Sequence, residues 1–265
     1  MEKDLSYNIL KGLCKVRNLQ SSFKGSENPL TPRASFIVDT ILDLGIYEGL
    51  NLDIFKDKYS KDLDLNYLNI ELSINVGAEN SVIYVAHHDV NNINSDNCQD
   101  NSASVSNLLA LAKHFSENKP TDKNVHIVFT DCEEFGGLGA RRLSERINEG
   151  AFGNVDYIVN LELTANGMNF WNDSKNFSKE SLLLDKLNSV SEFVSVKTPF
   201  NDSVVFRSRG IDSVCIGSLT DSEMEQVKKY GYCATWALCH KQNDTFENAN
   251  SKDMNNFVEL LTKLV

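Results

Sequence analysis

Val82-Ile83-Tyr84-Val85-Ala86-His87-His88-Asp89 decides the reading of this chain, because five apolar residues in a row stop abruptly at three polar ones. A run that is apolar on both faces suits a strand in the middle of a sheet with helices on both sides, not an alternating surface strand. Two more such runs follow, Val125-His126-Ile127-Val128-Phe129 and Val155-Asp156-Tyr157-Ile158-Val159-Asn160-Leu161. Helical periodicity separates the three, at about Ser102 to Glu117 and Leu138 to Glu149. The pattern predicts an α/β fold, a three-layer α/β/α sandwich around a mixed, mainly parallel sheet.

Working outward, Tyr67 to Ile74 alternates and reads as a half-buried strand, with Ala78-Glu79-Asn80 as the turn before the Val82 run. That gives the sheet an antiparallel edge. Further back, Leu5, Ile9, Leu10, Leu13 and Val16 recur at helical spacing, and a second helix is expected from about Ala34 to Leu44, after Pro29 and Pro32. Residues 1–50 thus read as a helical segment packed on the main body, and 1–265 as a single domain. Toward the other end, a helix carrying Leu182, Leu183, Leu184 and Leu187 is expected to start near Ser178. Ser213-Val214-Cys215-Ile216 is a short strand, and Phe257, Leu260, Leu261 and Leu264 sit on a helix capped near Ser251.

With 41% hydrophobic and 24% charged residues the composition is that of a globular protein able to build its own core. A net charge of −11 argues against nucleic acid or an anionic membrane as partner, since both need a basic footprint. No apolar run approaches the roughly 20 residues of a bilayer-spanning helix. The first residues lack the basic and apolar regions of a secretory signal, so a cytoplasmic location is expected. Cys14, Cys98, Cys132, Cys215, Cys233 and Cys239 are scattered without CxxC pairs, which predicts reduced thiols, with a Cys233–Cys239 bridge as the alternative that spacing allows.

The chemistry gathers where the apolar runs stop. The carboxyl ends of the strands are where open α/β sheets place their ligands. His87 and Asp89 face one way and His88 the other, so Asp89 can steer the second ring nitrogen of a metal-binding His87. After the second run comes Asp131-Cys132-Glu133-Glu134-Phe135-Gly136-Gly137, where one glutamate can bind a metal while its neighbour moves a proton. Glutamates at a helix start also suit the helix dipole, which is the plainer reading of that pair taken alone. Glu162 directly follows the third run, a place where a carboxylate needs a partner or a metal. Asp100 reads by itself as a helix-cap acid and His240 as a loop bystander. Together the set offers two imidazoles and three carboxylates, mixed N/O ligands suited to Zn²⁺.

The segments Ala86-His87-His88-Asp89, Asp100-Asn101-Ser102-Ala103-Ser104, Glu133 to Ala140 and His240-Lys241-Gln242-Asn243-Asp244-Thr245 resemble the ordered motifs of the co-catalytic zinc aminopeptidase family, which also includes glutamate carboxypeptidases. The resemblance runs from about Ser81 to the C-terminus. It implies two zinc ions, with other divalent ions as substitutes: His87 and Glu162 on one, Glu134 and His240 on the other, Asp100 shared. Glu133 becomes the general base, and a peptide or small amide the substrate. Glu162 stands where most members have aspartate, and Ser203 in Asn201-Asp202-Ser203-Val204-Val205-Phe206 stands where the family's Ser-Asp-His-x-x-Phe element has histidine.

The stretch between Glu162 and His240 is needed for the catalytic unit's own elements and leaves no room for the dimerisation domain of a related family. Two other readings share the scaffold: a glutaminyl-peptide cyclotransferase, against which Asn101 after Asp100 speaks, and a non-enzymatic binding module, against which the complete ligand set speaks. Cys98, Cys132 and Cys239 flank the proposed site residues as small apolar fillers or as thiols sensitive to oxidation. The aromatics of Tyr230 to Trp236 are expected to shape a substrate pocket.

Overall fold

The computed structural model describes residues 4–16, 30–60, 63–177 and 180–265. Its sheet contains β1 (Leu50–Ser60), β2 (Leu63–Ile74), β3 (Asn80–His87), β4 (Asn124–Thr130), β5 (Asn154–Leu161), β6 (Asn169–Asn172), β7 (Phe193–Ser195) and β8 (Ser213–Leu219), in the order β1-β2-β4-β3-β5-β8-β6-β7. β4, β3, β5 and β8 run parallel. β2 returns antiparallel to β4 on one side, and β6 runs antiparallel to β8 on the other. The three apolar runs are therefore β3, β4 and β5 at the centre, and β3 is buried from Ser81 to His87 on both faces.

The helices are α1 (Leu5–Leu13), α2 (Pro32–Asp43), α3 (Ala103–Glu117), α4 (Leu138–Asn148), α5 (Leu182–Val190), α6 (Asp202–Ser208), α7 (Asp221–Tyr230), α8 (Ala234–Leu238) and α9 (Ser251–Thr262). One face of the sheet is covered by α1, α2, α3, α5 and α9, whose Ile9, Ile37, Leu108, Leu187 and Phe257 share a core with Tyr84 and Ile127. The other face packs Ala140 and Leu143 of α4 and Phe206 of α6 against Ile83 and Val128. The N-terminal helices are thus part of the main core. Each buried isoleucine or leucine they add is worth roughly 1.5–3 kcal/mol over exposure.

Local chemistry explains the helix starts. Thr31 accepts a bond from the Ala34 N–H at 2.9 Å, with Pro32 at the first helical position, where its missing N–H costs nothing. The expected helix start near Ser178 lies outside the described residues, as does Pro29. α5 begins at Leu182, after Ser181 accepts from the Leu184 N–H at 3.1 Å. The alternating stretch in β2 is not half-buried: Asn69 and Glu71 are covered as well as Leu68 and Ile70. The reason is that α4 covers the polar face, with Asn69 Nδ2 donating to the Gly139 carbonyl at 3.0 Å and Arg146 reaching Glu71 at 3.1 Å. Among the described residues no helix is long and apolar enough to cross a membrane.

Candidate metal centre and cleft

His87 closes β3 opposite Thr130 of β4, and its Nε2 points into a cluster of acids, 3.2 Å from Asp100 Oδ1 and 3.6 Å from Glu162 Oε2. Its Nδ1 faces Asp89, 3.3 Å from Oδ1 and 3.2 Å from the carbonyl. His88 points to the other side, with its Nε2 2.9 Å from the Leu68 carbonyl, as strand alternation requires. Asp89 has a second task that the sequence did not reveal. Its two oxygens accept the backbone N–H groups of Glu133 at 3.1 Å and Glu134 at 3.2 Å, which ties the turn after β4 to the end of β3.

That turn places its neighbouring glutamates differently. Glu134 Oε2 lies 2.8 Å from His240 Nε2, whereas Glu133 lines the cleft and belongs to neither metal-sized cluster. Cys132 and the two glycines that follow adopt left-handed backbone, and a Cβ on Gly137 would come within 2.8 Å of Val205 and 3.3 Å of Asp202 Oδ1. A side chain at 137 would therefore push the turn off α6.

Asp100 is not the helix-cap acid that its neighbours suggest. It sits in a wide turn, Cys98–Ser102, with non-helical backbone and a cis peptide to Asn101, and α3 starts only at Ala103. Asp244 supports the turn from below by accepting the N–H groups of Gln99 at 2.9 Å and Asp100 at 3.2 Å. Asn101 Nδ2 donates to the Leu161 carbonyl at 2.8 Å, joining the turn to the end of β5 and so to Glu162. The outcome is that Asp100 Oδ1 faces His87 and Oδ2 faces His240, the latter at 3.3 Å. His240, half exposed, has φ 64° and is held through its carbonyl by Asn92 Nδ2 at 3.1 Å.

The donor atoms form two groups, His87 with Asp100 and Glu162, and Asp100 with Glu134 and His240. A tetrahedral zinc with bonds of ~2.0 Å needs donor atoms ~3.3 Å apart, which the spacings of 2.8 to 3.6 Å bracket. Glu134 Oε1 and Glu162 Oε1 are buried with no hydrogen-bond partner, so each group keeps an unfilled lone-pair site. The residues fit a pair of divalent cations on both counts.

Electrostatics agrees. Burial pushes the Glu162 carboxyl up to about 7, with His87 opposing and Asp100 adding to the push. Burial likewise raises Glu133 well above the carboxylate range, and Glu134 to a lesser degree. Hydrogen bonds that the His240 ring donates to Asp100 and Glu134 lift its pKa to about 10. Against its own burial, Asp100 is held low by His240 and His87. The carboxylates around them raise the proton affinity of both imidazoles, so a cation competes with protons for these residues.

Three further residues have partners that the sequence did not reveal. Asp202, fully buried, accepts from the Thr130 hydroxyl at 2.6 Å beneath the Glu133 turn. Ser203 contacts the Ser213 hydroxyl at 2.9 Å and lies off the cleft, so the departure at that position is spent inside the core. Arg33 of α2 is 2% exposed and reaches behind the site, where Nε donates to the His88 carbonyl and Nη2 to the Ser102 hydroxyl, both at 2.9 Å. Burial lowers its pKa to about 10, while Cys14, Asp89 and Asp100 raise it. Among the described residues no carboxylate lies within ion-pair distance of this guanidinium.

Above the acids opens a cleft of about 610 Å³. Tyr232 and Trp236 line it as expected, with Trp236 edge-on to Trp171 at 6.1 Å, whereas Tyr230 is exposed on α7 and does not. Trp171 packs against β8 at residue 217, which is glycine; a Cβ there would come within 2.5 Å of the indole and 2.0 Å of the Glu162 carbonyl. All six cysteines are free. Cys98 and Cys132 are core fillers, while Cys239 lines the cleft.

Comparison with known proteins agrees with the geometry. A sequence search among curated proteins found no relative. The fold is similar to a glutaminyl cyclase of Porphyromonas gingivalis (TM-score 0.75, 19% identity, 98% of this chain and 96% of that one). It is similar also to LapB of Legionella pneumophila (0.75, 16%, 98% and 70%) and, over a shorter span, to BSAP, a zinc aminopeptidase from Bacillus subtilis (0.63, 17%, 76% and 50%). The model of Peptidase family M28 matches residues 69–265, most of the chain and every residue of the metal-sized clusters. The chain belongs to peptidase family M28.

Proposed function

We propose that this chain is a metal-dependent exopeptidase, acting as an aminopeptidase, with residues 1–265 working as one domain. His87 and Glu162 hold one zinc ion, Glu134 and His240 the other, and Asp100 is shared. The observation that carries this reading is the Asp100 carboxylate, whose two oxygens face two different imidazoles, each with a second carboxylate of its own. Bound there, divalent ions supply Lewis acidity to the scissile carbonyl and increase the acidity of water.

The rest is work for the chain. Glu133 sits in the cleft without a metal-sized cluster of its own, on a turn fixed by Asp89. Its burial raises its proton affinity, which suits a group that takes a proton from the attacking water and hands it to the departing amine. Asp89 orients His87 through Nδ1 and leaves Nε2 for the metal. The aromatic wall of Trp171, Tyr232 and Trp236 gives an apolar side chain a seat.

The second reading, a glutaminyl-peptide cyclotransferase, draws support from length. This chain spans 96% of the P. gingivalis cyclase and 94% of a Fimbriiglobus ruber glutaminyl cyclase, against 70% of LapB. Asn101, whose amide ties the Asp100 turn to β5, favours the peptidase. Metal analysis with a panel of aminoacyl amides, short peptides and an N-terminal glutamine peptide, with and without chelator, separates the two. The peptidase reading expects about two ions per chain and chelator-sensitive release of free amino acids. One ion, with cyclisation of glutamine and no peptide cleavage, would overturn it.

A further inference from the structure

We propose that Lys197 anchors a carboxylate of the substrate, so that the cleft selects short peptides carrying a negative charge close to the bond that is cut. The proposal rests on the exopeptidase reading and names the substrate class of that site.

The cleft is polarised. At one end stand Asp100, Glu133, Glu134 and Glu162, and its side wall is aromatic. Lys197 is the one lysine or arginine among its lining residues, and among the described residues it makes no ion pair or hydrogen bond through its side chain. An unpaired ammonium facing a cleft is notable in a chain whose net charge is −11. Lys197 is exposed at the rim of this cleft, so salt in solution screens its charge.

Its position is fixed by its neighbours. Val196 is buried, and its N–H donates to the Asn172 carbonyl at 2.8 Å, which sets Lys197 just beyond β7 at the far edge of the sheet. Thr198 is gripped by Asn176, whose Nδ2 donates to its hydroxyl at 2.8 Å and its carbonyl at 3.2 Å, and its N–H donates back at 3.3 Å. The loop then returns to α6, where a Cβ on Gly137 would be 3.2 Å from Phe200. Three residues from Lys197 to Phe200 span at most ~11 Å, and Phe200 packs beside Gly137, so Lys197 belongs to the same cleft as the turn that carries Glu133. The anchored carboxylate is either the free C-terminus of a di- or tripeptide or an acidic side chain.

The test compares metal-loaded wild type, Lys197→Met and Lys197→Arg on two substrate pairs: Leu-Gly against Leu-Gly amide, and glutamic acid α-amide against glutamine α-amide. In Lys197→Met the ratio of KM for the charged member to that for the neutral member should rise about tenfold in at least one pair, the loss expected for a charge-assisted bond in a partly screened site. Lys197→Arg should restore it, and added salt should shrink the wild-type preference. A change in the first pair identifies the C-terminal carboxylate, and in the second the side chain. Equal changes in KM for charged and neutral members, or none, overturn the role of Lys197 and leave the peptidase reading intact. Failure of the loaded wild type to hydrolyse any of the four overturns both.

Discussion

Two of the candidate ligands belong to strand ends, His87 as the last residue of β3 and Glu162 directly after β5, while Asp100 and His240 come from irregular segments outside the ladders. The first pair is positioned by main-chain pairing: His87 is in register with Thr130, and the Glu162 N–H donates to the Ile216 carbonyl at 2.9 Å. The second pair depends on single side chains, Asp244 under Asp100 and Asn92 on the His240 carbonyl. A strand-borne ligand is held by many weak bonds in parallel. A loop-borne one is held by a few, each of which is exposed to one mutation.

The largest expected effect lies on the turn after β4. Glu133→Gln should lower peptide hydrolysis by ~10² to 10⁴-fold, the usual cost of a lost general base, with metal content unchanged in elemental analysis. Glu134→Gln should instead reduce metal content. The reverse pattern would show that the two glutamates have been assigned the wrong way round.

Next come the two props, one in each region. Asp89→Asn should weaken metal binding or turnover by ~10 to 100-fold, the range for carboxylates that orient a ligand. Asp244→Ala leaves two buried N–H groups beside Asp100 unpaired and should cost at least as much metal affinity, measured by competition with a chromogenic chelator. Were Asp244→Ala harmless and Asp89→Asn severe, the contrast between ladder-held and prop-held ligands would be inverted.

Arg33→Met is a smaller effect, on stability. It removes two buried hydrogen bonds from a charged donor, which should lower unfolding free energy by about 2 to 4 kcal/mol in urea titrations with an unchanged m-value. Arg33→Lys should fall between, since an ammonium keeps the charge but not the fork. Wild-type stability in the methionine variant would mean that α2 is held by its apolar face alone.

The smallest effect is a slope with pH in the metal-stripped protein. Glu162 and Asp244 bind protons up to about 7 when folded, above their unfolded values, and His240 does so up to about 10. Their contributions are complete at low pH and are lost as pH rises through the folded values. His126, lowered to about 4 by burial, works in the opposite sense below its unfolded value near 6.5. Between pH 6.5 and 8 only the first trend remains, so the thermal midpoint of stripped protein should fall there. In the loaded protein the fall should shrink or reverse, because protons compete less with the cations. A stripped protein whose midpoint rises over that interval would contradict the acid-rich site.

What could be read from the sequence follows the same contrast. β3, β4 and β5 were legible because strands buried on both faces are written as unbroken apolar runs. β6 and β7 were not, being four and three residues long with Asn169 and Asn172 at the ends of β6. β1 was missed because Asp53, Lys56 and Asp57 interrupt its pattern. Asp53 is there to meet Arg142 of α4 at 2.9 Å, a partner almost 90 residues away. The candidate ligands were legible as motifs, and so was Asp89 beside His87, whereas the props of Asp100 and His240 were not. Nothing near Asp244 says that it supports Gln99 and Asp100, and nothing near Arg33 says that it is buried, because its acceptors lie 55 and 69 residues on.

Arg33 also bears on modularity. The family match begins at residue 69, yet this guanidinium enters from α2 and fills the space behind His88 and Ser102. A fragment cut at the edge of the match would carry every candidate ligand and yet open the His88 carbonyl and the Ser102 hydroxyl to solvent where this donor now sits. The boundary that sequence similarity draws is therefore not a seam along which this molecule can be divided, and any chimera that borrows the matched region has to bring α2, or another buried donor of the same reach, with it.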